Sequence, residues 1–311
     1  MKRTKAFRRL LKTLLILFLL LNGVAFLHAY RFTHYDSSAR KTKDARRLSL
    51  GEKLGIVFTG VKNPRPQNEA VPDGAYETVR LRSNKEIECW HIRVPGSRGT
   101  VALFHGYGGE KSTLLDKAAV FQRLGYNTLL VDFMGSGGSE GRQTTIGFKE
   151  AEEVKTCFDH LKAGGEERIF LFGTSLGAAA VMKAMRDYQL PVHALILECP
   201  FSTMLQTVKN RFGTMGIPSF PMAHLLVFWG GVQNGFNAYR HNPVDYARSI
   251  TCPVLLLYGA KDEKVTPEET AAIFSRLAGP KSLVTFPLAG HENYLTRYRE
   301  QWTAAITRFL R

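Results

Sequence analysis

A chain of 311 residues with 44% hydrophobic content can bury a large core, as one big domain or two modest ones. The net charge of +15 points at first to nucleic acid, but residues 1–47 carry twelve Lys/Arg against Asp36 and Asp44. Only +5 is left on the other 264 residues, and with no basic-aromatic stripe there a nucleic-acid partner is excluded.

Residues Thr13 to Tyr30 contain no Asp, Glu, Lys or Arg, and a helix of eighteen residues covers roughly 27 Å. Snorkelling by Lys12 and Arg31 would extend that length to a bilayer core. Residues 1–30 therefore read as a signal anchor or transmembrane segment. A cleaved signal peptide, cut at Gly23-Val24-Ala25, is the competing reading. A buried soluble helix is disfavoured by the six Lys/Arg in the first twelve residues. Residues 31–47 also carry six Lys/Arg, so orientation rests on a preference for an inside N-terminus and an exported domain.

Residues 31–75 read as a polar, basic, membrane-proximal linker. Its apolar part, "LSLGEKLGIVFTG", suits an amphipathic helix, and Pro64, Pro66 and Pro72 end regular structure. From residue 76 to 311 the pattern is that of one domain. "YETVRLRSNKEIECWHIRV" predicts a hairpin turning at Ser83-Asn84. Short apolar runs follow: "TVALFHG", "NTLLVDF", "RIFLFGTS", "HALILEC", "PVLLLYG" and "SLVTFP". Their continuity suits strands buried on both faces of a mainly parallel sheet. Helical patterns at 112–124, 147–163, 176–189, 267–278 and 294–310 lie between or after them, predicting an α/β sheet covered by helices on both faces. The stretch from about 201 to 250 is too long for a simple crossover and reads as a helical lid over the C-terminal edge of the sheet. Cys89, Cys157, Cys199 and Cys252 are scattered without a C-x-x-C, so no disulfide framework is expected, and Cys157 and Cys199 read as buried thiols. With no His/Cys cluster at ligand spacing and no H-E-x-x-H, neither zinc nor another cofactor is expected.

Two segments match G-x-S-x-G: Gly173-Thr174-Ser175-Leu176-Gly177 and Gly137-Gly138-Ser139-Glu140-Gly141. A nucleophile elbow needs a strand directly before it and a helix directly after, with flanking glycines that avoid clashes. Ser175 has "RIFLF" before it and the helix-forming "LGAAAVMKAM" after it; Ser139 lies in a Gly-rich loop. Ser175 is the candidate nucleophile. A serine hydroxyl needs a base, and the base needs an orienting acid. Asp262 in "LLLYGAKDEKV" and His291 in "PLAGHENY" both fall just past predicted strand ends, in the chain order Ser, acid, His. Glu263 is the neighbouring alternative acid, and Asp245 in the lid a weaker one. For the oxyanion of a tetrahedral intermediate, the backbone N–H of Leu176 at a helix start and that of Tyr107 in "HGYGG" are the candidate donors.

From residue 77 to 311 the chain resembles the α/β-hydrolase superfamily. The blocks "HGYGG", "VDFMGSGGSEG", "GTSLGA", "LLYGAKDEKV" and "AGHENY" are similar to its bacterial serine aminopeptidase-like or BEM46-like branch. That resemblance implies Ser175 as nucleophile, Asp262 as acid, His291 as base, Tyr107 and Leu176 as oxyanion donors, and Ser139 in a loop supporting the site. An N-terminal membrane segment is common in that branch. The leading expectation is a membrane-anchored serine hydrolase of carboxylic esters or thioesters, acting on a small-molecule or lipid-like acyl substrate. Lid residues Phe212, Phe220, Leu225, Leu226, Val227, Phe228, Trp229 and Phe236 would then either line an acyl site or simply pack the lid. A serine peptidase of the aminopeptidase type and a catalytically silent, membrane-tethered binding module are the alternatives. Oligomeric state leaves no mark in the sequence.

Overall fold

The computed structural model describes residues 2–39 and 49–311, so residues 40–48 of the expected basic linker lie outside the described residues. Eight strands form one sheet: β1 (Glu77–Arg82), β2 (Glu86–Ile92), β3 (Thr100–Phe104), β4 (Asn127–Val131), β5 (Ile169–Thr174), β6 (Ala194–Glu198), β7 (Val254–Gly259) and β8 (Lys281–Phe286). Their spatial order is β1-β2-β4-β3-β5-β6-β7-β8. The hairpin β1–β2 joins antiparallel to β4, and from β4 to β8 every pairing is parallel.

The helices are α1 (Lys2–Thr33), α2 (Leu50–Thr59), α3 (Leu115–Arg123), α4 (Glu150–Ala163), α5 (Leu176–Tyr188), α6 (Met204–Thr214), α7 (Met222–Asn234), α8 (Pro243–Tyr246), α9 (Pro267–Arg276), α10 (Tyr294–Arg297) and α11 (Arg299–Phe309). Every residue of β3, β4, β6 and β7 is buried, which explains why these strands read as unbroken apolar runs rather than alternating ones. Successive side chains still part to opposite faces. Ala102, Phe104, Leu171 and Leu197 pack with α4 and α5, whereas Val101, Leu103, Phe172 and Ile196 pack with α3 and Trp302 of α11.

Two helices differ from expectation, each for a local reason. The helix expected from 147 begins at Glu150, because the buried Glu150 carboxylate accepts from the Thr145 and Gly147 amides and Gly147 sits at φ +99°. The helix expected over 294–310 breaks at Tyr298 (φ −125°, ψ 48°), leaving α10 as a single turn, and the Tyr294 hydroxyl accepts a hydrogen bond from the Gly259 amide.

The N-terminal helix divides into two parts. From Phe7 to Leu20 its large apolar side chains are exposed, and α1 is long and apolar enough to cross a membrane by length and composition. Its last turns instead meet the 201–250 stretch. Ala25 and Ala29 are buried, Trp229 Nε1 donates to Asn22 Oδ1 at 3.1 Å, and Gln233 Nε2 donates to the Phe26 carbonyl at 2.8 Å. Phe26 meets the Trp229 ring edge-on at 5.3 Å.

Candidate active site

The turn between β5 and α5 puts Ser175 at φ 53° and ψ −108°, a conformation that a non-glycine residue adopts only under constraint. Its amide donates to the Glu198 carbonyl of β6 at 2.8 Å. A Cβ on Gly177 would lie 2.3 Å from the Phe104 carbonyl oxygen, so the start of α5 packs on the end of β3 only because that residue is glycine. The elbow is thereby fixed on both sides.

Asp262 follows β7 and His291 follows β8, and the parallel pairing of those strands brings both beside Ser175. His291 Nε2 lies 3.1 Å from Ser175 Oγ, and His291 Nδ1 lies 2.7 Å from Asp262 Oδ2. Asp262 is buried, and its Oδ1 accepts from the Lys264 and Val265 amides, leaving Oδ2 to the imidazole. An ionised carboxylate only accepts, so in the neutral ring Nδ1 carries the proton and Nε2 offers a lone pair to the serine hydroxyl. Of the alternative acids, Glu263 is exposed, and Asp245 pairs with Arg276 at 3.0 Å on the surface.

The loop after β3 runs against the elbow. A Cβ on Gly106 would lie 3.6 Å from Ser175 Cβ, which brings the Tyr107 main chain beside Ser175. Its shape is held by buried His105, whose Nδ1 bonds the Gly106 carbonyl at 2.8 Å and whose Nε2 accepts from the Phe133 amide at 3.1 Å. Burial lowers the His105 pKa, in keeping with that neutral tautomer. The Leu176 amide opens α5, where no earlier helical carbonyl can take it. The Tyr107 ring turns away, stacks on Phe32 of α1 with centroids 4.6 Å apart, and donates its hydroxyl to the Phe32 carbonyl at 2.7 Å.

Ser139 occupies a different kind of place. It is buried, its hydroxyl donates to the Asp132 carbonyl at 2.6 Å, and it accepts from the Glu88 amide at 2.8 Å. The same loop is clamped by Arg65, which donates to the Gly137 and Ser139 carbonyls at 2.9 and 2.6 Å. Asp132 also takes Lys111 at its side: the buried Lys111 ammonium contacts Asp132 and lies 2.9 Å from Glu88.

Sequence reasoning treated Cys199 as an ordinary buried thiol. It sits directly after β6 at φ 40°, with its sulfur, an Asp262 oxygen and a His291 nitrogen all within 4.8 Å of one another. Among the described residues these donors converge closely enough to hold a metal, but both His291 nitrogens are already engaged, so an ion there would displace Asp262 or Ser175 from the ring. Burial of the His291 ring works against its charged form, while the Cys199 sulfur and the Asp262 carboxylate favour it. The balance raises its pKa to about 10. Glu198 was also missed. This buried carboxylate accepts from Thr174 Oγ1 at 3.0 Å and Trp302 Nε1 at 2.7 Å, bracing the elbow.

Beside this group lies a cavity of about 850 Å³ between α1, α2, α6 and α7. Phe212, Leu226, Val227 and Phe236 line it, as do Phe32 and Tyr107. Phe220 and Phe228 are instead exposed, and Trp229 packs on α1. The set thus splits into cavity wall, packing on α1 and exposed rings.

The description "Serine aminopeptidase, S33" belongs to the family model that matches residues 95–227. Protein bem46 of Schizosaccharomyces pombe is 26% identical, with the match covering 74% of this chain and 77% of that protein. The lysophosphatidylserine lipase ABHD12 of Xenopus tropicalis is 26% identical, covering 75% of this chain and 61% of that one. An esterase of Pyrococcus furiosus superposes with a TM-score of 0.66 at 23% identity, covering 80% of this chain and 98% of the esterase.

Proposed function

As a member of the α/β-hydrolase superfamily in its BEM46 branch, this chain is a hydrolase, and we propose that it is a membrane-anchored serine hydrolase that cleaves carboxylic esters or thioesters. The observation that carries the reading is the relay of Asp262, His291 and Ser175 at 2.7 and 3.1 Å. His291 takes the Ser175 proton as the oxygen attacks the acyl carbon, and Asp262 stabilises the imidazolium that forms. The oxyanion is held by the Tyr107 and Leu176 amides. Collapse of the tetrahedral intermediate passes the proton from His291 to the leaving oxygen or sulfur. Water then repeats the sequence on the acyl-enzyme and frees the acid.

The apolar cavity beside Tyr107 supports an acyl chain as the group that is bound. An aminopeptidase would need a carboxylate for the substrate ammonium, and among the described residues no Asp or Glu lines the cavity. Membrane anchoring is supported by the exposed apolar run of α1.

Membranes washed with carbonate and assayed on p-nitrophenyl esters of rising chain length, against aminoacyl-anilides, test both parts. Ester hydrolysis retained in the membranes is expected. Faster cleavage of the anilides would overturn the ester reading, and release of the protein by carbonate would overturn the anchor.

The base works only when neutral, so a raised His291 pKa makes kcat/KM climb with pH on an alkaline limb. Cys199→Ala removes one of the groups favouring the imidazolium. The limb is therefore expected at lower pH than in the wild type, read from pH profiles of kcat/KM on one soluble ester. A limb displaced upward would contradict the assigned sign.

A further inference from the structure

The proton relay has a neighbour that the reaction does not use. Cys199 follows β6, Asp262 follows β7 and His291 follows β8, so three adjacent parallel strands deliver a thiol, a carboxylate and an imidazole to one edge of the sheet. A ligating atom from each lies within 4.8 Å of the other two. Motif spacing along the chain could not show this set, because each donor comes from a different strand end. Two of the donors are held in place by the fold itself. Asp262 Oδ1 accepts from the Lys264 and Val265 amides at 2.8 and 3.0 Å, which aims Oδ2 at the imidazole. Cys199 is fixed at φ 40°, and its amide donates to the Leu257 carbonyl at 3.0 Å. Cys199 and Asp262 are buried, whereas the His291 side chain is 19% exposed and gives a small ion a way in from solvent.

We propose that Cys199, Asp262 and His291 form an inhibitory site for a thiophilic divalent cation of the zinc class. What is inhibited rests on the hydrolase reading above; the binding of the ion rests on the donor set alone. A thiolate, a carboxylate and a neutral imidazole together carry the two negative charges that a divalent cation cancels in a buried place. The mixture of sulfur, nitrogen and oxygen suits Zn²⁺ or Cd²⁺, whereas Mg²⁺ and Ca²⁺ take oxygen ligands. Binding exchanges the Cys199 thiol proton, which passes to solvent, for the ion. The neutral imidazole keeps its own proton on whichever nitrogen the ion leaves free. Either choice breaks the relay. An ion on Nδ1 severs the bond to Asp262 and puts the ring proton on Nε2, where it faces Ser175; an ion on Nε2 takes the lone pair that the Ser175 hydroxyl needs. The ion thus competes with the proton in transit and is no cofactor of the reaction.

The test uses the full chain in neutral detergent micelles, with Zn²⁺ titrated into the hydrolysis of one p-nitrophenyl ester. Wild-type activity should fall towards zero at micromolar free Zn²⁺ and return on adding EDTA. Cys199→Ser keeps the size of the side chain and loses the thiolate. Half-inhibition of that variant's own rate should need about 100-fold more Zn²⁺, because even an outer partner of a metal ligand is worth about 10- to 100-fold in affinity. Mg²⁺ at the same concentrations should leave the rate intact. Equal inhibition by Mg²⁺, a Cys199→Ser enzyme as sensitive as the wild type, or an active wild type that Zn²⁺ does not inhibit overturns the proposal. A second arm needs no turnover. Co²⁺ added to Ser175→Ala protein should give the near-ultraviolet absorption of a cobalt–thiolate bond, displaced by Zn²⁺ and absent when Cys199→Ser is combined with Ser175→Ala. A missing band overturns the site, and a band that survives in the double variant assigns the thiolate to another cysteine and overturns it too. If the wild type cleaves no ester but the band forms and depends on Cys199, the hydrolase reading falls and the ion site stands. Hydrolysis indifferent to Zn²⁺, with no band, does the reverse.

Discussion

Ser175→Ala is expected to lower kcat by roughly 10⁴- to 10⁶-fold on any ester the wild type cleaves, because the group removed is the proposed nucleophile. The residual rate comes from the oxyanion donors and from binding, which the substitution does not touch. Little stability should be lost. The Ser175 backbone strain stays, its amide still reaches the Glu198 carbonyl at 2.8 Å, and the side-chain loss is one hydroxyl contact to His291 at 3.1 Å. The matching substitution at the second G-x-S-x-G predicts the opposite pair of effects. Ser139→Ala abolishes the bond to the Asp132 carbonyl and strands the part-buried Glu88 amide. A cost of about 1–3 kcal/mol is expected, with activity per folded molecule largely kept. Steady-state kinetics and thermal melts on the two variants therefore read as a cross: one loses rate and keeps stability, the other loses stability and keeps rate.

Lys111→Met should destabilise the protein by about 3–5 kcal/mol, the cost of removing one partner from a buried ion pair. Lys111, in the turn after β3, and Asp132, just past β4, both have fully buried side chains. Beyond the lysine ammonium, Asp132 accepts from the Lys111 amide at 2.7 Å, Gly138 at 2.8 Å and Asn68 at 2.9 Å. Those bonds tie together the loop after β3, the Ser139 loop and the segment before the hairpin. Burial alone would raise the Asp132 pKa, but Lys111 and the other partners hold it below 3.8. Its contribution is thus present above about pH 4 and is lost as pH falls through the depressed pKa. In Lys111→Met the carboxylate keeps its amides without a cation, so the acid limb of stability should move to higher pH. Urea melts across pH 3–7 check both the size and the direction.

The strands were legible because a parallel sheet buried on both faces writes continuous apolar runs, and β3, β4, β6 and β7 are buried at every position. The elbow was legible from its flanks. Asp262 and His291 could be picked out because strand ends after β7 and β8 converge on one sheet edge, and the structure brings both within hydrogen-bonding distance of the expected partner. What stayed hidden depends on contacts between distant segments. Arg211 looks like any polar residue on α6, and only the approach of Phe32 and Tyr107 makes it a stacked cation. Cys199 closes an apolar run, and nothing local says that its sulfur meets His291. The apolar pattern of α1 is equally blind: Leu14 and Leu15 are exposed while Ala25 and Ala29 are buried where α1 meets α7, and the sequence marks no border between them. Periodicity reports that a face is apolar, without saying whether lipid or protein will cover it.

The central claim is that Ser175, and no other serine, is the nucleophile. Tandem mass spectrometry of the full-length protein after reaction with a fluorophosphonate tests it most directly. One phosphonyl adduct is expected, on Ser175, lost in Ser175→Ala and retained in Ser139→Ala. An adduct on Ser139 or any other residue, or an unlabelled wild type that is folded and soluble in detergent, would contradict it.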